Sequence, residues 1–150
     1  TNVLSFNNAE LNIINQGQGE GILVGGNLAT ITSLIGTPWE VDTKDKILLL
    51  EETGEYPYRI ERLLTQLEQG GFFEHLKGII LGDFLLKEVP ISQNELVEIF
   101  DYYFTKLRIP VILGVPVGHG KINKTLPLGA KIKLETNPPL IRFLDPRLVS

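Results

Sequence analysis

The amino-acid sequence predicts an α/β fold: a mixed sheet with short parallel strand–helix–strand units and helices packed on one side. Three observations carry this expectation. Short apolar runs, ILLLEE, GIILGDF and PVILGV, alternate with longer stretches of helical period, the order expected of parallel strands joined by crossover helices. Toward the carboxyl end, AKIKLE alternates apolar with charged residues, the pattern of a strand buried on one face. Finally, 150 residues suffice for one domain with its own core, and no linker, repeat or low-complexity tract divides them. Residues 1–150 therefore read as one domain.

Taken in order, TNVLSFNNAE carries few structural signals, and the glycines of GQGEGILVGG are explained as turns, because the segment lacks both nucleotide-loop patterns. NLATITSLIG offers Asn27 as a helix N-cap, Leu28, Ile31, Leu34 and Ile35 as an apolar face, and Gly36 as a stop. ILLLEE suits a strand buried on both faces. In PYRIERLLTQLEQGG, Pro57 opens an amphipathic helix, Ile60, Leu63, Leu64 and Leu67 share a face, and Gly70 ends it. GIILGDF repeats the buried-strand pattern. SQNELVEIFDYYFTKL opens with a Ser92–Glu95 capping box and turns Leu96, Ile99, Phe100, Tyr103, Phe104 and Leu107 inward. PVILGV is a third short strand, and Pro138 and Pro139 turn AKIKLE into LIRFL.

Composition removes several function classes. A net charge of −4, with no run among the 14 basic residues, argues against nucleic acid as a partner. The absence of cysteine excludes a disulfide scaffold and a thiolate metal site. No apolar stretch approaches the roughly 20 residues that span a bilayer, and the first residues lack a secretory signal, so no membrane partner is expected. Opening on Thr1 rather than Met, the chain reads as a piece of something longer.

In parallel strand–helix units, ligand-binding groups gather beyond the carboxyl ends of the strands. Glu51 and Glu52 end the first apolar strand, Asp83 ends the second, and the loop carrying His119 leaves the third. An imidazole whose second ring nitrogen donates to a glutamate is held in one tautomer and can take a proton from a hydroxyl nucleophile. The glycines on either side of His119 let backbone and substrate approach the ring. A glycine-rich turn with a solvated histidine, and a solvated strand edge with two glutamates, would account for the same residues. His75, between a helix and a strand, reads as structural or exposed. Glu51, Asp83 and His119 as metal ligands would be a chance grouping at such long separations, and no metal is expected. What the sequence lacks is a nucleophile: Ser5 and Ser150 are terminal, Ser33 lies in a helix, Ser92 is a cap, and none sits in a G-x-S-x-G elbow.

Four stretches, GGNLATITSLIGTPWE, ILLLEETGEYPYRIERLLTQLEQGGFF, GIILGDF and PVGHGKINKTLPLGAKIKLE, together resemble the C-terminal domain of the LD-carboxypeptidase family of serine peptidases, which includes the microcin-immunity peptidases. The resemblance implies a swivelling β/β/α domain. It implies a Ser-Glu-His triad divided between domains, with the serine and its oxyanion hole on an N-terminal domain of the same parent protein. By motif, Glu51 of LLLEE and His119 of VGHG take the glutamate and histidine places. Glu52 stands where Asp is common in the family. The implied activity is cytoplasmic, bacterial peptidoglycan recycling: removal of terminal D-Ala from a murein tetrapeptide at an L,D bond, without metal or cofactor. On its own the chain is expected to be inert. Glu55, Tyr56, Tyr58 and Arg59, just beyond Glu51, are expected to form part of a partly apolar rim facing the missing domain, with Glu55, Tyr58 and Arg59 toward substrate, unless they are only a solvated loop and helix start. A free-standing domain that binds peptide or protein without catalysis, and a half of a microcin-immunity-type peptidase, stay open as alternatives, as does a homodimer.

Overall fold

The apolar runs form neighbouring parallel strands in the computed structural model, which describes residues 3–6, 11–85 and 92–148. Ser150 lies outside the described residues. In chain order the elements are β1 (Val3–Ser5), β2 (Asn12–Asn15), β3 (Gln18–Asn27), α1 (Leu28–Ser33), β4 (Lys46–Thr53), α2 (Pro57–Gln69), β5 (Gly78–Leu85), α3 (Gln93–Phe104), β6 (Val111–Leu113), β7 (Lys131–Thr136) and β8 (Pro139–Phe143), followed by a 3₁₀ turn, Pro146–Leu148. One eight-stranded sheet runs β1-β8-β7-β3-β4-β5-β6-β2. β3, β4, β5 and β6 are mutually parallel, and the outer strands pair antiparallel.

The glycine-rich segment read as turns is instead β3, the strand that joins the two halves of the sheet. Its first residues pair with β7, and Ile22–Asn27 pair with Lys46–Glu51 of β4. The glycines serve close approach. A Cβ on Gly25, where φ is +125°, would stand 2.0 Å from the Leu49 carbonyl oxygen, and one on Gly19 would stand 1.8 Å from that of Lys77. Glycine is required here because neighbouring backbone fills the place of a side chain, a cause that composition alone does not separate from a turn.

The three described α-helices pack on one face. α1 starts at the expected cap, with Asn27 Oδ1 accepting from the Thr30 amide at 3.0 Å; it ends at Ser33, three residues before Gly36. α2 has Pro57 in its first turn and buries Ile60, Leu64 and Leu67; truncating any one of them to alanine would cost about 2–5 kcal/mol. α3 is held by the full Ser92–Glu95 capping box, and its Phe100 ring meets Phe84 of β5 edge-on at 4.8 Å. These side chains and Leu48, Leu50, Ile79 and Leu81 make one apolar cluster. Ile47, Leu49, Ile80 and Ile112, from the opposite face of the same strands, join Ile132, Leu134 and Ile141 in a second.

The second cluster exists because the sheet curls. A Cβ on Gly78 of β5 would lie 3.1 Å from Leu134 Cδ2 of β7, although β3 and β4 stand between them. Three strand spacings in a flat sheet would separate them by about 14 Å. Alternation along β4 sends Leu48, Leu50 and Glu52 toward the helices, and Ile47, Leu49 and Glu51 toward the curled interior. Between Leu50 and Glu52 the pairing with β5 slips: Leu50 faces Leu81 but Glu52 faces Phe84. Gly82 and Asp83 together therefore oppose Glu51, which is a β-bulge.

Candidate active site

Glu51 reaches the carboxyl end of β4 on the curled face, with 7% of its surface exposed. After β6 the chain recrosses that face. The Asp83 amide donates to the Val117 carbonyl at 2.8 Å, and the next residues run over the β5 bulge. Beyond Val117, the imidazole of His119 comes to Glu51, Nδ1 to Oε2, at 2.9 Å across 68 positions of sequence. The histidine side chain is 55% exposed and that of the glutamate 10%. One ring nitrogen is thus committed to a buried carboxylate, while no hydrogen bond among the described residues engages Nε2. A carboxylate acceptor at Nδ1 favours the tautomer with the proton there, which leaves Nε2 bare as a base.

The glycines beside His119 make room for carboxylates. A Cβ on Gly118, at φ +128°, would lie 3.0 Å from Glu51 Oε2, and one on Gly120 would lie 2.6 Å from Asp83 Oδ2. The loop is tied down by its own backbone. Gly120 donates to Asp83 Oδ2 at 2.9 Å, Gly118 to Asn123 Oδ1 at 3.2 Å, and Lys124 to the Pro116 carbonyl at 2.8 Å. The sequence marked Asp83 as a strand end and as a discounted metal ligand, whereas β5 continues to Leu85. An isolated glycine inside a strand pattern, Gly82, was the signal for a bulge here.

Glu52 has a different environment. Its carboxylate accepts from Asn27 Nδ2 at 2.8 Å, the Ala29 amide at 2.8 Å and its neighbour Thr53 at 2.9 Å, fixing the start of α1. Strand alternation separates it from the imidazole.

Glu55, Tyr58 and Arg59 stand where α2 leaves the same end of the sheet, but on the helix side. Their described contacts are local: Glu55 Oε2 accepts from Arg59 Nε at 2.9 Å, Tyr58 stacks on Tyr56 at 5.8 Å, and the Arg62 guanidinium lies 5.1 Å from the Tyr58 ring. Among the described residues, none of these contacts joins them to Glu51 or His119. Tyr58 remains 51% exposed. No described serine hydrogen-bonds the imidazole: Ser33 Oγ donates to the Thr30 carbonyl at 2.7 Å, Ser92 caps α3, and Ser5 lies on the edge strand β1. The side chain of His75 is 68% exposed beside Glu74. No helix among the described residues is long and apolar enough to cross a membrane.

Fold and site together define a mixed α/β domain that presents a histidine oriented by a carboxylate at the carboxyl end of its parallel strands. The sequence profile described as the LD-carboxypeptidase C-terminal domain matches residues 20–134, and the chain belongs to that family. It is 39% identical over 125 residues to a protein of Bacillus subtilis named a probable murein peptide carboxypeptidase, a match covering 80% of this chain and 38% of that protein. Among solved structures, an MccF-like protein from Bacillus anthracis superposes with a TM-score of 0.79 at 29% identity, covering 90% of this chain and 43% of that one. A muramoyltetrapeptide carboxypeptidase from Oxalobacter formigenes gives 0.74 at 32% identity, covering 94% and 49%. The chain thus spans between about two-fifths and half of the length of these proteins.

Proposed function

We propose that this chain supplies the histidine and glutamate of a serine-type LD-carboxypeptidase, whose nucleophile and oxyanion hole lie on an N-terminal domain of the same parent protein. The observation that carries the reading is the pairing of a nearly buried Glu51 with a half-exposed His119 at 2.9 Å. Nε2 of His119 takes the proton of the serine hydroxyl as the oxygen attacks the carbonyl of the L,D bond. The imidazolium that forms is stabilised by Glu51 and passes the proton to the leaving amine of D-Ala. Water, deprotonated by the same nitrogen, then releases the acyl group. No step draws on a metal or cofactor. The substrate is a murein tetrapeptide and the setting peptidoglycan recycling in the cytoplasm, in keeping with relatives named murein peptide and muramoyltetrapeptide carboxypeptidases. Glu55, Tyr58 and Arg59 form a rim for substrate and for the N-terminal domain.

A second reading, half of a microcin-immunity-type peptidase, draws support from the similarity to the MccF-like protein. Both readings need a nucleophile from outside the chain, whereas a binding domain without catalysis would have no use for an oriented imidazole. The test is to incubate the purified chain with an L,D-linked tetrapeptide, alone and joined to a serine-bearing N-terminal domain. Release of D-Ala is expected only from the joined protein. Turnover by the chain alone that disappears in His119→Ala contradicts the proposal.

A further inference from the structure

We infer that Asp83 is a positioning residue for His119, clamping the loop on both flanks so that the imidazole can meet Glu51. The inference rests on reading His119 as the base. Asp83 makes no described hydrogen bond to the ring and, in the proposed mechanism, does not touch the reacting atoms; it acts through the backbone. Its amide donates to the Val117 carbonyl at 2.8 Å, two residues before His119, and its Oδ2 accepts from the Gly120 amide at 2.9 Å, one residue after it. A single side chain and its own peptide group therefore bracket Gly118 and His119.

Three further features show that this bracket is built into the fold. In a regular strand Asp83 would follow Leu81 to the helix side; the bulge opposite Glu51 instead turns it to the face crossed by the loop. Gly82 and Gly120 leave no space for side chains in the bracket: a Cβ on Gly82 would stand 2.4 Å from the Val117 oxygen, and one on Gly120 2.6 Å from Asp83 Oδ2. The acceptor is a carboxylate, so its bond to the amide is stronger than that of a neutral oxygen. A half-exposed imidazole on a glycine-flanked loop would otherwise sample several orientations, and rate depends steeply on placement. Glu51 then fixes the direction of the ring, and Asp83 fixes the segment that carries it.

The experiment is ¹⁵N NMR of the His119 ring, with amide hydrogen exchange at Gly120, in the wild-type chain and in Asp83→Ala, Asp83→Asn and Glu51→Gln. In wild type, the ring is expected as one tautomer protonated on Nδ1, with the Gly120 amide protected. Asp83→Ala should speed exchange at Gly120 on the order of tenfold or more and move the ring shifts toward the averaged values of a free histidine. Asp83→Asn retains an acceptor oxygen and should restore most of both signals. Glu51→Gln should move the ring shifts and leave Gly120 protected.

Ring shifts that remain at their wild-type values in a folded Asp83→Ala overturn the inference. If that variant does not fold, Gly120→Ala probes the clamp from its other side, since its new methyl must displace the Asp83 carboxylate; an unchanged ring there overturns it equally. Ring shifts that follow Asp83, together with normal turnover by His119→Ala in the two-domain protein, would leave the clamp standing and remove the catalytic reading.

Discussion

Glu51 and Glu52 are adjacent carboxylates, 7% and 2% exposed, yet strand alternation gives them opposite surroundings. On the helix side, Glu52 accepts three N–H groups, two of them from the β3–α1 junction. On the curled side, Glu51 accepts from one ring nitrogen of a histidine whose other nitrogen is free to act. A carboxylate saturated by donors of its own fold stabilises that fold. One whose partner is a half-exposed titratable ring has an outlet for chemistry. Substitutions should therefore separate the two residues by what they damage.

The largest expected effect is on turnover. Glu51→Gln in the two-domain protein should lower kcat by about a thousandfold or more, with KM little changed, because it removes the acceptor that sets the tautomer and stabilises the imidazolium. Its folding stability should change by no more than about 1 kcal/mol, since the pair opens to solvent on the histidine side. Steady-state kinetics beside a urea titration measures both.

Glu52→Ala should reverse the balance. It strands the amides of Ala29 and Thr53 and the side chain of Asn27, and should cost about 3 kcal/mol in the same urea titration. Equal damage to stability by the two substitutions would break the contrast.

Arg59→Ala removes an ion pair in which the arginine side chain is 48% exposed, so stability should move by less than about 0.5 kcal/mol. If α2 forms part of the substrate rim, KM should rise severalfold with kcat nearly intact. An unchanged KM would assign the Glu55–Arg59 pair to helix stabilisation alone.

The smallest effect lies far along the chain. Hydrogen bonds from Arg147 hold the Asp145 carboxyl at about 2, below its ordinary value of 3.8. Because the folded state binds this proton less readily than the unfolded state, the pair's contribution is fully present above the ordinary value. It falls as pH drops from about 4 toward 2. The gap in urea midpoint between wild type and Arg147→Ala should narrow over that window, and a gap that widens would contradict the pairing.

Much of this contrast was legible in the sequence. The period of two in ILLLEE places consecutive glutamates on opposite faces, and the helix caps at Asn27 and Ser92 are local signals that the fold preserves. By contrast, β3 was hidden because Gly19 and Gly25 are required by the Lys77 and Leu49 carbonyls, which come near only after the sheet has formed. The Asn27–Glu52 bond and the Asp83 clamp were hidden for the same reason: they span 25 and 37 positions. Motif resemblance assigned Glu51 and His119 their places together, whereas spacing alone left a solvated histidine as an equal account. Glu55, Tyr58 and Arg59 were marked by proximity to Glu51 in sequence, a measure blind to which face of the sheet a helix covers.

The most direct measurement is kcat of the two-domain protein carrying His119→Ala, with an L,D-linked tetrapeptide as substrate and the urea midpoint of the same preparation as a check on folding. The account predicts a loss of about a thousandfold or more at an unchanged midpoint. A folded variant that turns over within about threefold of wild type, a difference of less than 1 kcal/mol in barrier, would contradict it.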